Sequence, residues 1–293
     1  MASIFERTGP IIRELGGDAE LVLVDDGSPD RTGAVAETFA AKSEHPTTVV
    51  RLARNFGQHP AVFAGFAHAR GKVIVTLDSD LQYPPEEIAR LISELDDEHP
   101  VVSGYRAHRK DPLVRRWISA SLTNWLGRRT GQQLVDYGSM FRAYDRIVID
   151  QMLQFTEQHR FIPALVSWLG FRVKEIPVTH QARSEGGSRY RIRPLIEMFL
   201  DLITSYSVSP LRVLSLAGFV GAMLGFLATA TFVVYRVIEG SGVSGTVSAF
   251  ALVFLLLALQ LLVVASLGEY VGRIYVETKG RPYFVVGKVT RNR

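Results

Sequence analysis

The chain has 293 residues, 47% of them hydrophobic, which is enough for one large globular domain and a further segment. It contains no cysteine, so disulfide bonds and thiolate metal sites are excluded, and its first residues lack the apolar core of a secretory signal peptide. The net charge is +4, and the basic residues crowd into residues 106–129, residues 183–193 and the segment after Gly268, which favours local contact with anions or a membrane surface over nucleic-acid binding.

Apolar runs and helical periodicities alternate along the first hundred residues. The pattern predicts helices over residues 4–15, 32–41, 57–70 and 88–95 and strands over residues 21–24, 47–52 and 73–77. This alternation is typical of an α/β domain with a mostly parallel, Rossmann-like sheet flanked by helices. A later strand over residues 173–178 is expected at a sheet edge, because Pro177 cannot donate to a ladder.

The strand that begins at Val73 stops on two carboxylates, Asp78 and Asp80, spaced one residue apart. Ligands of open α/β sheets bind beyond the carboxyl ends of the strands, so a divalent cation, Mg²⁺ or Mn²⁺, could lie between these side chains and bridge to nucleotide phosphates. The amide oxygen of Gln82 is a further candidate ligand. The alternative is that both aspartates only cap the following helix.

A second strand also ends in acid, at Asp25 and Asp26. A nucleotide needs a pocket for its base and ribose as well as a pocket for its phosphates and metal. Asp25 and Asp26 could supply the first pocket, and Asp78 and Asp80 the second. The alternative for Asp25 and Asp26 is an ordinary polar turn after a strand.

Basic and aromatic residues mark the middle of the chain. Arginines are interleaved with Trp117 and Trp125, which suits a surface that meets phosphates and an acyl boundary together, although a solvated basic helix has the same composition. Farther along, Ser139 and Arg142 could donate hydrogen bonds to a phosphate. Residues 183–193 could form a cationic lid over an anionic acceptor, or merely a connector.

Two runs without charged residues, 213–235 and 240–268, are each long enough for a helix that spans a membrane. The linker between them holds no Lys or Arg, whereas basic residues follow the second run, so both termini are expected in the cytoplasm and the protein in the inner (cytoplasmic) membrane as a multi-pass protein. The predicted division is a cytoplasmic α/β domain over residues 1–190, a juxtamembrane amphipathic helix over 191–211, transmembrane helices over 212–236 and 247–268, an extracytoplasmic loop over 237–246 and a cytoplasmic basic tail over 269–293.

Two features of these spans predict helix contacts. Gln260 is costly against lipid and is expected to face another helix, and Gly218, Gly221 and Gly225 share a helix face that could pack against a second copy of the chain. A homo-oligomer is therefore a possible state. A small transporter is disfavoured, because the spans lack the charged residues of a polar pathway.

The motifs of the chain, taken in order, closely resemble those of the family-2, GT-A-fold glycosyltransferases that load a sugar onto a polyprenyl phosphate. The likeness covers nearly the whole chain, and its Gly-Gln-His and Leu-Gln-x-Pro-Pro-Glu versions are most similar to the bacterial undecaprenyl-phosphate branch, with the dolichol-phosphate branch more distant. The segments that carry the resemblance are residues 25–28, 54–59, 78–86, 137–144, 161–163 and 268–273.

This resemblance implies a role for each matching residue. Asp25, Asp26 and Asp78 would contact the nucleotide of a nucleotide-sugar donor, and Asp78, Asp80 and Gln82 would hold the divalent metal. The acceptor phosphate would be bound by Arg106, Ser139, Arg142 and Arg189. The residues expected to act most directly in catalysis are Asp80, Ser139 and Arg142.

One departure from the family concerns the start of the domain. Family members open with a strand ending in Pro-x-Tyr-Asn-Glu, and this sequence has no such strand ahead of its first helix. A missing inner strand would leave a slot in the sheet with unpaired backbone groups. We therefore expect that the start is truncated or misassigned and that upstream sequence encodes an apolar strand.

The residues and the resemblance together predict an inverting transfer of a sugar, carried as a UDP-sugar, to undecaprenyl or another polyprenyl phosphate at the cytoplasmic membrane face, as a step in building the cell envelope. Two alternatives stay open. One is a processive polysaccharide synthase, although the Gln-x-x-Arg-Trp segment of that class is absent. The other is a non-catalytic membrane scaffold with a degenerate transferase domain.

Overall fold

The computed structural model describes residues 2–15, 19–106, 127–128, 131–158, 160–179, 209–239 and 244–292. The chain divides into two compact units. The first, which we call the sheet unit, comprises Met1–Arg189 and Pro282–Arg293, and the second, the helical unit, comprises Tyr190–Arg281.

The sheet unit alternates strands and helices along most of its length. Its helices are α1 Ala2–Glu14, α2 Thr32–Lys42, α3 Gln58–His68, α4 Ile88–Ser93, α5 Arg146–Leu153 and α6 Ile162–Trp168, with a 3₁₀ turn at Pro85–Glu87. Its strands are β1 Leu21–Asp25, β2 Thr47–Leu52, β3 Val73–Thr76, β4 Val101–Arg106, β5 Arg142–Asp145, β6 Val173–Val178 and β7 Val286–Arg291. The predicted strands over the first hundred residues are confirmed to within two residues at each end.

The strands form two sheets, one in the order β1-β2-β7 and the other in the order β3-β5-β4-β6. β1 lies parallel to β2 and β4 parallel to β6, while the other three pairings are antiparallel. The α/β fold class is confirmed, but in the described part of the chain the expected mostly parallel arrangement holds for two of the five pairings. The reason is that β5 enters between β3 and β4, and β7 beside β2, in the opposite direction.

β1 and β3 each lie at an edge of their sheet. Among the described residues, the chain ahead of β1 forms helix α1 and no strand. Helix α3 contacts both sheets, since a side chain at Gly65 would lie 3.3 Å from Val24 on β1 and the ring of Phe66 lies 5.5 Å from that of Tyr144 on β5. One helix therefore packs against β1 of the first sheet and β5 of the second.

The two faces of the second sheet differ in chemistry, because side chains along a strand alternate in direction. On one face, Val102, Phe141 and Ala143 pack with Tyr83 and Leu91 in an apolar cluster. On the opposite face, Arg142 is in register with Thr76 on one side and with Ser103 on the other. We call Thr76, Arg142 and Ser103 the polar row.

The helical unit contains α7 Ser209–Glu239 and α8 Ser244–Thr278, which pack against each other. A side chain at Gly221 would overlap Leu259, and one at Gly225 would lie 2.5 Å from Leu256. The glycine face of α7 is thus occupied by α8 of the same chain in this structure, and a homo-oligomer stays a prediction. Gln260, which was expected to face another helix, is exposed.

The predicted spans fall inside α7 and α8, and α8 continues ten residues beyond the expected end at residue 268. Among the described residues, one segment, Leu255–Thr278, is long and apolar enough to cross a membrane, while α7 contains a shorter apolar stretch at Gly218–Ala228. The segments predicted as a juxtamembrane helix and a cationic lid lie almost wholly outside the described residues.

The C-terminal residues do not form the separate basic tail that the sequence predicted. After α8, residues 286–291 become β7 and pair with β2, and Lys288 forms an ion pair with Glu37 of α2 at 2.7 Å. The β-branched residues Val286, Val289 and Thr290 are compatible with a strand, but the partner strand lies more than 230 residues earlier in the chain. The end of the chain therefore belongs to the sheet unit.

Candidate functional site

Residues 54–59, which precede and open helix α3, bring the two acidic strand ends together. The carboxylate of Asp26 accepts hydrogen bonds from the backbone amides of Phe56 and Gly57 at 2.7 and 2.8 Å. The next side chain, Gln58, donates from Nε2 to Oδ1 of Asp78 at 2.8 Å. The acidic ends of β1 and β3, predicted separately, therefore border one site, with this 54–59 segment between them.

Asp25 has a structural task in this arrangement. It is 5% exposed, accepts a hydrogen bond from the amide of Ser28 at 3.1 Å and pairs with Arg51 at 3.2 Å. Gly27 has a φ of +65°, and a side chain there would overlap the backbone of Arg54. These contacts are those of an ordinary polar turn after a strand, which was the alternative to nucleotide binding. A direct contact of Asp25 or Asp26 with a nucleotide stays a prediction.

The loop after β3 is held in a strained conformation. Gln82 donates to Asp80 from its backbone amide at 3.2 Å and from Nε2 at 2.8 Å. Between them, Leu81 has a φ of +54°, which makes it the one non-glycine residue with a positive φ in the described part of the chain. A branched side chain is unfavourable in this region of φ, and such strain is retained mainly where the surroundings fix a functional geometry.

The chemistry of this loop is suited to a hard cation. Asp78, Asp80 and Gln82 offer two carboxylates and an amide, the oxygen ligands that Mg²⁺ and Mn²⁺ prefer. Within the described ranges no group of three His, Cys, Asp or Glu side chains is placed to hold a metal by itself. A cation here would need further oxygen ligands, which the phosphates of a bound substrate can supply.

Arg142 is fully buried in the polar row. Its Nε donates to the carbonyl oxygen of Ser139 at 2.9 Å, whereas Nη1 and Nη2 have no hydrogen-bond partner among the described residues. Ser139 is also buried, and its hydroxyl oxygen accepts from the amide of Phe141 at 3.4 Å. The two residues predicted to bind the acceptor phosphate are therefore adjacent, but they lie beneath the surface and not on it.

His59 belongs to the 54–59 motif but was not predicted as a site residue, and the structure places it beside this buried arginine. Its ring meets Phe161 edge to face at 5.2 Å. Burial and the charge of Arg142 together lower the pKa of His59 to about 4, so the imidazole is neutral near pH 7. Burial also raises the pKa of the neighbouring Tyr144 hydroxyl. The signal that could have identified His59 is its position at the start of a helix that directly follows a glycine.

The other two predicted phosphate ligands are not placed by this structure. Arg106 is the last residue of β4, and its side chain lies outside the described residues, as does all of Arg189.

Comparison with known proteins agrees with this architecture. The sequence profile described as "Glycosyl transferase family 2" matches residues 6–153. The chain is 40% identical over its whole length to undecaprenyl-phosphate 4-deoxy-4-formamido-L-arabinose transferase of Pseudomonas fluorescens, covering 87% of that protein. It is 39% identical to the protein of the same name from Photorhabdus laumondii, over 98% of this chain and 89% of the relative.

Among solved structures, glucosyl-3-phosphoglycerate synthase from Mycobacterium tuberculosis in complex with phosphoglyceric acid is similar at a TM-score of 0.46 and 18% identity, over 64% of this chain and 67% of that one. The profile covers half of the chain, and the sequence relatives extend the match across both units. The chain therefore belongs to glycosyl transferase family 2.

Proposed function

We propose that this protein transfers a sugar from a nucleotide-sugar donor, with uridine diphosphate as the carrier, to undecaprenyl phosphate at the membrane. The observation that carries the proposal is the 40% identity to undecaprenyl-phosphate transferases over the full length, because it includes the helical unit as well as the sheet unit. Those relatives name 4-deoxy-4-formamido-L-arabinose as the sugar, and this modified pentose is the first donor to test.

The reaction is a single displacement at the anomeric carbon of the sugar. An oxygen of the acceptor phosphate forms a bond to that carbon while the bond from the carbon to the diphosphate oxygen breaks, and the electron pair leaves with the nucleoside diphosphate. The configuration at the carbon is inverted. Because a phosphate monoester is already anionic, the protein needs to position the attacking oxygen and does not need a strong base.

Asp78, Asp80 and Gln82 would hold a divalent cation, Mg²⁺ or Mn²⁺, that neutralises the negative charge of the leaving diphosphate. The hydrogen bonds from Gln82 to Asp80 and the strained Leu81 keep these oxygen atoms at fixed spacing. Arg142 would attract a phosphoryl group toward the polar row, since its two terminal nitrogens have no described partner. Arg106, Ser139 and Arg189 are proposed to assist there.

A membrane hairpin fits the course of the chain. Helices α7 and α8 are 31 and 35 residues long, which corresponds to roughly 45 Å or more each and exceeds the thickness of a bilayer core. The segment after α8 pairs with β2, so both ends of the helical unit connect to the same sheet unit. We therefore propose two crossings of the inner membrane with the sheet unit in the cytoplasm.

The proposal is tested with the full chain in nanodiscs that contain undecaprenyl phosphate. Labelled nucleotide sugars are supplied one at a time with Mg²⁺ or Mn²⁺, and the label in the lipid fraction is counted. Label from one donor should enter the lipid, and an Asp80→Asn variant should lose this transfer. Binding of nucleotide sugars without transfer of any label to lipid would instead favour a non-catalytic scaffold, and long polymer products would favour a processive synthase.

A further inference from the structure

Several buried polar atoms on one face of the second sheet have no hydrogen-bond partner among the described residues. They are Nη1 and Nη2 of Arg142, Oγ of Ser103 and Nδ1 of His59, and the Tyr144 hydroxyl beside them interacts with Thr76 and with Arg142 itself. Buried polar groups in native proteins are nearly always paired, so a group of such atoms marks a place where a ligand with complementary polar atoms can bind. Arg142 makes the case strongest, because a buried charge is costly unless it is compensated.

The geometry of the fold places these atoms together. Arg142 and Tyr144 are two residues apart on β5 and so point to the same face, and Ser103 is in register with Arg142 on β4. The ring of Tyr144 contacts Phe66 of α3, the helix on which His59 is the second residue. The first turn of α3 lies at the end of β3, because Gln58 binds Asp78, and Thr76, two residues before Asp78, is the register partner of Arg142. The group therefore lies between β5 and α3, in a region that we call the α3 recess.

The chemistry of the α3 recess points to an anion with several oxygen acceptors. Two guanidinium nitrogens and two hydroxyls can all donate, and a neutral imidazole can donate from one nitrogen. A phosphoryl group can accept all of these hydrogen bonds and compensates the charge of Arg142. A second positive charge beside Arg142 would increase the free-energy cost of burying both groups when no anion is bound. The neutral imidazole of His59 supplies a hydrogen-bond donor without adding that charge.

We propose that His59 is a phosphate-positioning residue, and that its imidazole and the guanidinium of Arg142 bind the same phosphoryl group in the α3 recess. This inference rests on the proposed function, in which both substrates carry phosphate. The phosphoryl group comes either from the lipid acceptor or from the nucleotide-sugar donor, and kinetics with each substrate varied separately distinguish the two sources.

The test compares three variants of the full chain in nanodiscs. His59→Phe keeps an aromatic ring against Phe161 and removes the polar atoms, while His59→Asn restores a neutral hydrogen-bonding group. His68→Asn is the matched control, because His68 lies on the same helix but its Nδ1 is already within 2.7 Å of the Ala64 carbonyl oxygen. Both KM values and kcat are measured, and the binding of inorganic phosphate and of pyrophosphate is measured by calorimetry.

For His59→Phe we expect KM for one substrate to rise about tenfold, the effect of one lost hydrogen bond to a charged group, with little change in kcat. His59→Asn should recover part of this loss, and His68→Asn should match the wild type. A rise in the acceptor KM assigns the recess to the lipid phosphate, and a rise in the donor KM assigns it to the diphosphate. Unchanged KM values and unchanged phosphate binding in His59→Phe would overturn the inference.

A measurement on the wild-type chain keeps the inference testable if His59→Phe does not fold. With ¹³C-labelled histidine, inorganic phosphate should shift the His59 resonance, assigned with His59→Asn, and leave that of His68 in place; the absence of a His59 shift would refute the proposal. The two hypotheses also fail separately. If the wild type transfers no sugar but binds phosphate through His59, only the proposed function is lost, and if transfer proceeds with His59→Phe unimpaired, only the inference is lost.

Discussion

Replacing Tyr283 with alanine tests whether the end of the chain is an integral part of the sheet unit. Tyr283 lies between α8 and β7, and its ring meets Phe63 of α3 edge to face at 5.4 Å. The guanidinium of Arg160 lies over the same ring at 4.2 Å, and the Tyr283 hydroxyl donates to the Arg160 carbonyl oxygen at 3.2 Å. One side chain thus attaches the C-terminal segment to α3 and to the residues just before α6.

The expected loss follows from these contacts. The cation–π contact contributes about 1 kcal/mol, the edge-to-face ring pair about 1 kcal/mol and the hydrogen bond about 1 kcal/mol. The Tyr283→Ala variant should therefore lower the free energy of unfolding by about 3 kcal/mol, a value in the range of aromatic truncations in protein interiors. Tyr283→Phe removes only the hydroxyl and should cost about 1 kcal/mol.

The assay is urea unfolding of the full chain in detergent, followed by tryptophan fluorescence, because Trp168 lies in the sheet unit. Tyr275→Ala serves as the control, since Tyr275 is an exposed residue of α8 in the helical unit. It should leave the transition of the sheet unit within about 0.5 kcal/mol of the wild type. If Tyr283→Ala is equally silent, the C-terminal segment does not contribute to the stability of this unit.

Three further predictions concern the candidate site. Asp80→Asn should reduce sugar transfer by at least about 100-fold, because it removes the negative charge of a carboxylate that is expected to bind the metal. The helix content measured by circular dichroism should be unchanged. Leu81→Gly should raise the free energy of unfolding by up to about 1 kcal/mol, because glycine adopts the positive φ of this position without strain. It should also weaken the dependence of sugar transfer on Mg²⁺, measured by titration with the metal. Lowering the pH from 6.5 to 4 should reduce the free energy of unfolding by about 3 kcal/mol through His59. In this pH range the histidine of the unfolded chain binds a proton, whereas the folded protein, in which the pKa of His59 is about 4, keeps the imidazole largely neutral.

Each of these predictions has a control. Asp30→Asn, at an exposed carboxylate of the turn before α2, should leave transfer intact, and equal losses in both variants would argue against a metal role of Asp80. A strongly destabilised Leu81→Gly would show that the loop gains more from leucine packing than it loses through strain. In His59→Asn, the free energy of unfolding should no longer show this loss between pH 6.5 and pH 4. If the same loss persists in the variant, groups other than His59 cause it.

The sequence predicted well what depends on local pattern. The apolar runs that end at Asp25 and shortly before Asp78 identified two strands and their acidic ends correctly, because short runs of β-branched and other apolar residues that stop at polar turn residues favour strands. The helical periodicity at residues 88–95 was likewise sufficient to identify the helix of residues 88–93. The charge-free runs located α7 and α8, since few soluble segments have that composition.

What the sequence did not predict depends on pairing between distant residues. Nothing in the local pattern of residues 286–291 indicates that β2 is their partner. The glycine face of α7 has the composition of a contact between copies, and only the fold shows that α8 of the same chain occupies it. Arg142 was predicted as a phosphate ligand, but nothing in its local sequence indicates that its register between Thr76 and Ser103 buries it.

The structure also moves the centre of the candidate site from the aspartate pair after β3 to the 54–59 segment. Four successive residues of this segment connect to three parts of the site: the amides of Phe56 and Gly57 bind Asp26, Gln58 binds Asp78, and His59 lies beside Arg142. A shift of the segment would therefore move groups at both acidic strand ends and in the α3 recess at once. The segment is anchored by backbone amides and by the close approach of Gly27 to Arg54, so its geometry depends on few side chains that a sequence pattern could reveal.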